Sequence, residues 1–402
     1  MKIVFAPDSF KDSLSAARVA HIIRNKAEEI FPKCEMREVP LANGDKGTVE
    51  TLVSVLGGKY ETLVTIDCMG EEKEMIYGVL DDQTVILEAG QILRASEQDA
   101  HSMRQKLLFS SSFGLGKAIL QLLDRGYRKM YIGAGTGTTF DGGMGCVGAL
   151  GVKFYNKKGE LLEPAGVNLM EVDKIDTRDL DSRMRETDLI VMCAVNNMLL
   201  GVDGATYVYG AQNGGGPDEL LRLEHGMRKY ADCMEETTGI IVRNAIGGGA
   251  AGGLPVSLMA IAGAKLQSGI STVLKLMNFE EIIEEASMVV VGEGMFDKTS
   301  IYGKALTGIG MLCKSKGVPV VALVGRVGFD AKILYEFGIS SVVSSVEAIM
   351  DEGEAIEDAE KHLSYAAEKM FRLLAVGIQI QAREDVLHTS GMVLRHEKYE
   401  EA

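Results

Sequence analysis

The sequence predicts a two-domain α/β protein. One parallel-sheet domain is built from both ends of the chain, and a second α/β domain is inserted between them. At 402 residues the chain is too long for one ordinary core and suits two domains. Strand and helix patterns alternate at the start and in the last third, which is typical of parallel sheets with helical crossovers. Between these parts the pattern changes to short alternating runs.

The N-terminal part alternates strand and helix twice. An apolar run opens the chain, and Ser13 or Ser15 can cap the helix that follows. Thr48 begins a second helix after a glycine-containing loop. We predict strands at 2–6 and 34–41, and helices at 16–30 and 48–56.

The middle of the chain is less regular. Alternating runs over 59–90 predict a hairpin or a meander of strands. Longer amphipathic segments and continuous apolar runs follow. We predict helices at 114–125 and 217–237, and buried strands at 129–133 and 188–193.

The last third alternates like a doubly wound sheet, with predicted strands at 288–292, 319–324 and 341–346 and helices at 303–316, 330–337 and 354–374. These patterns predict a discontinuous domain at 1–62 and 270–380 and an inserted domain at 63–269. The C-terminal tail, 381–402, is charged. It is either a partly ordered extension or a contact in a homo-oligomer.

Composition excludes several classes of function. The net charge of -15 and the lack of basic patches argue against a nucleic-acid partner. No stretch approaches the roughly 20 apolar residues of a membrane span. The N-terminus lacks the apolar core of a signal peptide, and the six cysteines are scattered, so we expect a cytoplasmic protein with reduced thiols.

The glycine-rich segment 133–145 is the strongest candidate site. It follows a buried strand and runs into an apolar helix, and alternating glycines let backbone N–H groups approach phosphate oxygens. Its threonine hydroxyls could add hydrogen bonds or contact a metal. A tight turn with close helix packing is the alternative. It is neither a Walker loop nor a dinucleotide fingerprint, because no Gly-Lys-Ser/Thr ends it and Phe140 and Asp141 interrupt the glycine spacing.

A second segment, 247–253, consists only of glycine and alanine. Such a run costs conformational entropy, for which close approach of a ligand is one compensation. A hinge between the domains is the structural alternative, and the two are compatible.

Three further loops carry polar residues where strands end or helices begin. Asp8, Ser9 and Lys11 follow the first strand, and in open parallel sheets ligands bind beyond the carboxyl ends of the strands. A simple turn is the alternative there. The loop 43–47 precedes a helix, whose N-terminus favours anions.

The third loop follows the strand at 288–292. Glu293 and Asp297 are candidates for binding Mg²⁺ or for a general base, and Lys304 lies near a helix N-terminus, where it could hold phosphate charge. Phosphoryl transfer needs cations on the transferring group and a positioned hydroxyl, which these residue types could supply.

Six segments together resemble one family. In chain order they are PDSFKDSLSA, ANGDKGT, GAGTGTTFDGGMG, VNNMLLGVDGATYVYGAQNG, GGGAAGGL and GEGMFDKTSIYGKA. This order is similar to that of bacterial glycerate kinases of type 2, over roughly residues 1–375. The resemblance implies ATP-dependent phosphorylation of glycerate, a small hydroxy acid, with Mg²⁺. It also implies a flavodoxin-like (Rossmann-like) domain interrupted by a second α/β domain, with the active site between them.

The motifs and the resemblance together give the expected site residues. The catalytic residues are Asp297, Asp141, Lys304 and Lys11, and the metal ligands are Glu293 and Asp297. The substrate-binding residues are Asp8, Ser9, Asn43, Gly44, Asn196, Asn197 and Gln212. The residues expected to cradle ATP are Gly133, Gly135, Thr136, Gly137, Thr139, Gly142, Gly143, Gly248, Gly249 and Gly252.

Several charged positions depart from the family pattern. Asn43, Ala194 and Asn196 stand where the family usually has aspartate, and Met295 stands where it usually has arginine. Methionine cannot replace a bidentate arginine on a carboxylate, so we expect altered charge matching to the substrate or altered metal binding. Two alternatives stay open: a kinase for another hydroxy acid or polyol, and a ligand-binding homologue with impaired catalysis.

Overall fold

The structure is a computed structural model that describes residues 1–10, 13–94, 107–135, 137–296, 305–328, 332–346 and 350–389. The strands are β1 Lys2–Phe5, β2 Glu35–Glu38, β3 Lys59–Ile66, β4 Glu72–Val79, β5 Thr84–Glu88, β6 Lys129–Ala134, β7 Lys153–Tyr155, β8 Lys174–Asp176, β9 Asp188–Cys193, β10 Lys265–Ser268, β11 Met288–Phe296, β12 Val320–Val327 and β13 Ser341–Ser344.

The helices are α1 Ala16–Ile30, α2 Thr48–Leu56, α3 Gly90–Leu93, α4 Phe113–Asp124, α5 Met144–Ala149, α6 Pro217–Thr238, α7 Leu254–Ala260, α8 Gly269–Leu276, α9 Phe279–Ile283, α10 Ala305–Lys316, α11 Ile333–Glu336, α12 Glu352–Glu357 and α13 Ala359–Thr389. Among the described residues, none of these helices is long and apolar enough to cross a membrane. All six cysteines carry free thiols, and five of them are buried.

The first sheet has five parallel strands in the order β13-β12-β11-β1-β2. Numbered along the sheet's own part of the chain, this is the order 2-1-3-4-5 of flavodoxin-like folds. Its strands come from both ends of the chain, and the predicted α/β fold class is confirmed.

The second sheet has six strands in the order β10-β9-β6-β5-β4-β3. The pairs β3–β4 and β4–β5 are antiparallel, which confirms the predicted meander, and the remaining pairs are parallel. All six strands lie between residues 59 and 268. Since β3 runs across the predicted boundary at residues 62 and 63, that boundary is better set before β3. The other domain limits stay predictions.

One face of the five-stranded sheet is covered by α1 and α13. Helix α1 begins where predicted, because the Ser15 side chain accepts a hydrogen bond from the N–H of Arg18. Phe371 of α13 is fully buried and makes edge-on ring contacts with Phe5 and Phe31. These contacts hold the C-terminal helix on the sheet.

The other face of this sheet shares a core with the six-stranded sheet. Val4 and Val289 of the first sheet belong to the same buried cluster as Tyr131 and Met192 of the second, together with apolar residues of α2 and α8. Because the two sheets share this core, their carboxyl edges have a fixed relation to each other.

Several elements differ from the prediction. The single helix predicted at 354–374 is divided into α12 and α13, and α13 continues to Thr389, into the predicted tail. The hairpin β7–β8, strand β10 and the short helices α7 to α9 were not predicted. They are short, and their hydrophobic periodicity is too brief to distinguish helix from strand.

Replacing Phe371 should strongly destabilise the protein. Phe371→Ala removes a fully buried ring and leaves a cavity against α1, so we expect the free energy of unfolding to fall by about 3–5 kcal/mol. Leu373→Ala, on the same helix but 73% exposed, should change it by less than about 0.5 kcal/mol. Urea unfolding followed by circular dichroism measures both, and equal effects would contradict the assigned packing.

Candidate active site

The carboxyl ends of β1 and β11 form a crevice where the chain connections diverge. Strand β1 is followed by its neighbour β2 on one side, and β11 by β12 on the other. This is the switch point at which open α/β sheets bind ligands. The segment after β1 stays beside β11, since the Asp8 N–H donates to the carbonyl of Gly292 (2.9 Å).

Two predicted carboxylates lie at this crevice. The Asp8 carboxylate accepts a hydrogen bond from the N–H of Ser9 (2.6 Å), and both residues are half-buried. Glu293, one residue beyond Gly292 on β11, is 9% exposed. The structure therefore places Asp8 and Ser9, which follow β1, beside the part of β11 that carries Glu293. Lys11, Asp297 and Lys304 lie outside the described residues.

The loop 43–47 connects this crevice to the second sheet. Asn43 accepts a hydrogen bond from the N–H of Asp45 (3.2 Å), and Gly44 has a φ of +97°. A Cβ at Gly44 would overlap the carbonyl oxygen of Met192 in β9, and one at Gly133 in β6 would lie 2.6 Å from the carbonyl oxygen of Gly44. The loop thus packs on the carboxyl ends of β6 and β9, so the carboxyl edges of both sheets meet.

Asp141 lies in the interior of the glycine-rich segment. It is 1% exposed, and its Oδ2 accepts hydrogen bonds from the N–H (2.7 Å) and hydroxyl (2.8 Å) of Ser112 and from the N–H of Gly145 (3.0 Å). Its Oδ1 accepts from the N–H of Gly143 (2.9 Å). Burial raises the pKa of Asp141, against the effect of these donors. The expected catalytic role of Asp141 is therefore corrected, because the carboxylate is enclosed and holds the start of α5.

The threonines of the segment also bond within the protein. The hydroxyls of Thr138 and Thr139 both donate to the carbonyl of Leu93, at 3.1 and 3.0 Å. Thr139 therefore positions the loop against α3, and its expected contact with ATP is corrected. Thr136 lies outside the described residues. The Gly137 carbonyl accepts a hydrogen bond from the Asn213 amide (3.3 Å), which joins this loop to the segment before α6.

The two glycine-rich segments pack against each other. The N–H of Gly142 donates to the carbonyl of Gly252 (3.1 Å), and that of Ala251 donates to the carbonyl of Gly135 (3.1 Å). Gly252 has a φ of +62°, and a Cβ there would overlap the carbonyl oxygen of Thr139. Because residues 247–253 are buried throughout, this segment belongs to a packed core, which does not favour a hinge.

The expected phosphate cradle needs correction at five glycines. Gly248 and Gly249 donate their N–H groups to the carbonyls of Ala245 (3.0 Å) and Asn197 (2.9 Å). Gly142 and Gly143 are likewise engaged, with Gly252 and Asp141. These donors satisfy protein acceptors, so the alternative of a tight turn with close packing describes Gly142 and Gly143. Gly248, Gly249 and Gly252 likewise belong to a closely packed segment.

The segment after β9 contains three predicted substrate-binding residues. Asn197 is engaged internally: its Oδ1 accepts a hydrogen bond from the hydroxyl of Tyr209 (2.6 Å), and its Nδ2 donates to the carbonyl of Asp203 (2.7 Å). Burial raises the pKa of Tyr209 to about 12, so this hydroxyl stays protonated. Asn196 and Gln212 are exposed. Asn197 therefore shapes the loop, while Asn196 and Gln212 remain accessible.

The chain's relatives agree with this architecture. The model of the glycerate kinase family matches residues 3–375. The chain belongs to the glycerate kinase family. A glycerate kinase from Bacillus subtilis (strain 168) is 35% identical over 384 residues, which cover 94% of this chain and 98% of the relative. Glycerate 2-kinase from Escherichia coli (strain K12) is 34% identical over 385 residues, covering 94% and 99%.

A solved structure is also similar. A crystal structure assigned to glycerate kinase 2 from Salmonella typhimurium LT2 is 32% identical, with a TM-score of 0.78. The similarity covers 94% of this chain and 99% of that chain. The resemblance inferred from the six motifs is therefore confirmed, as is the two-domain α/β fold.

Two carboxylates at the meeting point of the sheets of this glycerate kinase family member were missed. Glu88 ends β5 and is 9% exposed, and its carboxylate accepts a hydrogen bond from the N–H of Val49 at the start of α2 (2.8 Å). Burial raises the pKa of Glu88, and the nearby Asp45 carboxylate adds to the effect. The Asp45 side chain lies against Gly135. A carboxylate directly after the apolar run Val85–Leu87 was the available signal for Glu88.

Removing the Asp141 carboxylate should lower the free energy of unfolding, because the carboxylate has a structural role. Asp141→Ala leaves four buried donors without their acceptor, so we expect a loss of about 3 kcal/mol or more in the free energy of unfolding. Chemical denaturation measures this loss. Ser111→Ala serves as the control, because its hydroxyl lies at 3.5 Å from the same carboxylate. An Asp141→Ala protein of unchanged stability would contradict the scaffold role.

Close backbone packing at Gly252 gives a second test. Gly252→Ala should cost at least about 3 kcal/mol, since it adds overlap with Thr139 to the left-handed strain. Gly239→Ala is the matched control: its φ is +73°, no atom lies within 4 Å of the added carbon, and a cost of about 1–2 kcal/mol is expected. Thermal and urea unfolding of both variants decide the comparison, and a smaller loss at Gly252 than at Gly239 would refute it.

Proposed function

We propose that this protein is a kinase that transfers the γ-phosphoryl group of ATP to a hydroxyl of glycerate. The observation that carries the proposal is the meeting of the two carboxyl edges at loop 43–47, in a chain that matches the glycerate kinase family over residues 3–375. Phosphoryl transfer depends mainly on positioning two reactants and stabilising charge. A crevice bounded by two sheets offers both, with a separate surface for each reactant.

Mg²⁺ fits the chemistry of the crevice. Mg²⁺ is usually bound in kinases by one or two carboxylates together with substrate phosphates, and Asp8 and Glu293 offer hard oxygen atoms at adjacent strand ends. No group of three or more His, Cys, Asp or Glu side chains suited to a metal is present among the described residues. One or two carboxylates suffice when substrate phosphates complete the ligand set, so we assign the ion to Glu293, with Asp8 beside it and Asp297 as a further ligand. When bound, Mg²⁺ neutralises charge on the transferring group.

The remaining roles follow from position. Asn43, Gly44, Ser9, Asn196 and Gln212 are proposed to orient the hydroxy acid. We assign the base that accepts the hydroxyl proton to Asp297, and the charge that holds phosphate or carboxylate to Lys11 and Lys304. Proposed contacts to ATP are Gly133, Gly135, Thr136 and Gly137.

Glu88 and Asp45 make the edge above β5 and β6 acidic. An anionic ligand is repelled by such charges unless cations offset them. We therefore place the γ-phosphoryl group over the crevice between β1 and β11, where lysines are expected, and leave the rest of the nucleotide to the contacts at Gly133, Gly135, Thr136 and Gly137. The neutral hydroxyl end of the substrate then lies toward loop 43–47.

The activity is tested with purified protein, D-glycerate, ATP and Mg²⁺ in an assay of ADP release. We expect glycerate-dependent turnover that stops when EDTA removes the metal. Glu293→Gln should lower kcat at least about tenfold, because one oxygen charge on the metal is lost. Glu281→Gln, an exposed residue of α9, should leave kcat unchanged. Turnover of another hydroxy acid or polyol but not of glycerate would reject the assigned substrate, and no turnover of any would reject the kinase.

A further inference from the structure

Arg326 lies at the carboxyl end of β12, one residue before the strand's last residue, Val327, and next to the strand β11 that borders the crevice. In the parallel pair β11–β12, Glu293 is in register with Val324, and Met295 is in register with Arg326. Residues in register on neighbouring strands project to the same face of a sheet, and the strands lie about 4.8 Å apart. Arg326 and Met295 therefore lie side by side at the carboxyl edge.

The two buried cores on either side of the five-stranded sheet show which face Met295 and Arg326 lie on. Alternate residues of the two strands belong to the core shared with the six-stranded sheet, and the residues between them belong to the core under α1 and α13. The shared core takes Val289, Val291, Val320, Ala322 and Val324, and the other takes Val290 and Leu323. Continuing the alternation puts Met295 and Arg326 on the face toward the second sheet, just beyond its apolar core.

Both side chains are exposed. Met295 is 47% exposed, and Arg326 is exposed as well. Within the part of the chain that the structure describes, Arg326 forms no ion pair, whereas Arg243 and Arg183 each bind two carboxylates. A guanidinium therefore stands at the ligand-binding edge with its charge available.

We propose that Arg326 binds an anionic group of a reactant in this crevice, and that it replaces, from the neighbouring strand, the arginine that the family usually carries at position 295. The group is either the carboxylate of the hydroxy acid or a phosphate of the nucleotide. A carboxylate is planar and a phosphate is tetrahedral, and a guanidinium can hold two oxygen atoms of either group through two hydrogen bonds. The proposal rests on the proposed function of the site and names the residue whose positive charge matches the anionic group of the reactant.

The closing experiment moves the guanidinium between the two strands. R326M removes it, and the double variant M295R/R326M returns it one strand away, at position 295. We expect R326M to raise KM for one reactant about tenfold or more, as for the loss of a charged hydrogen bond. The double variant should recover a large part of that loss. R222A removes an exposed arginine of α6 and should leave both KM values unchanged.

The two KM values show which reactant Arg326 binds, and binding measurements test this inference separately from the proposed kinase activity. A rise in KM for D-glycerate alone assigns Arg326 to the carboxylate, and a rise for ATP alone assigns it to a phosphate. Calorimetric binding of D-glycerate and of ATP is measured in parallel, so the inference stays testable if no protein turns over. Weaker binding of either by R326M with recovery in the double variant supports it. Unchanged KM and binding in R326M, or loss without recovery in the folded double variant, overturns it.

Discussion

The close contact of loop 43–47 with the carboxyl ends of β6 and β9 determines the geometry of the site. Gly44 leaves no room for a side chain between the loop and the Met192 carbonyl, and Gly133 leaves none on the other side. The loop leaves the first sheet after β2 and starts α2, whose apolar residues enter the core between the sheets. A larger residue at either glycine would separate the two carboxyl edges, and reactants held by opposite sheets would no longer meet.

A second set of contacts keeps the glycine-rich segments rigid. Asp141, Ser112 and the N–H groups of Gly143 and Gly145 satisfy one another in the buried interior. Buried polar groups are stable only when they are hydrogen-bonded, so this network fixes the loop. Its glycines are needed because two backbones lie in contact. A fixed loop can in turn present its solvent-facing part to a ligand in one geometry.

The charges of the site are distributed unevenly. Glu88 and Asp45 lie where α2 begins, and Asp8 and Glu293 at the switch point, whereas Arg326 stands on the adjacent strand. Under the proposed function, such an arrangement favours a ligand that carries one anionic group on the proposed Mg²⁺ and a second anionic group near Arg326. Met295 can thus stand in place of an arginine because Arg326, on the neighbouring strand β12, carries the positive charge.

The sequence by itself determined the first helices and the alternation of strands and helices at both ends of the chain. Ser15 begins α1 and Thr48 begins α2 because capping and helical periodicity are local, and the order of strands in the last third followed from alternation. The six ordered motifs also identified the family. Tertiary structure alone decided which groups the glycine N–H donors face, because their acceptors, such as Asn197 and Gly252, are distant in the chain. It also decided the partner of Met295, since strand register depends on packing between β11 and β12.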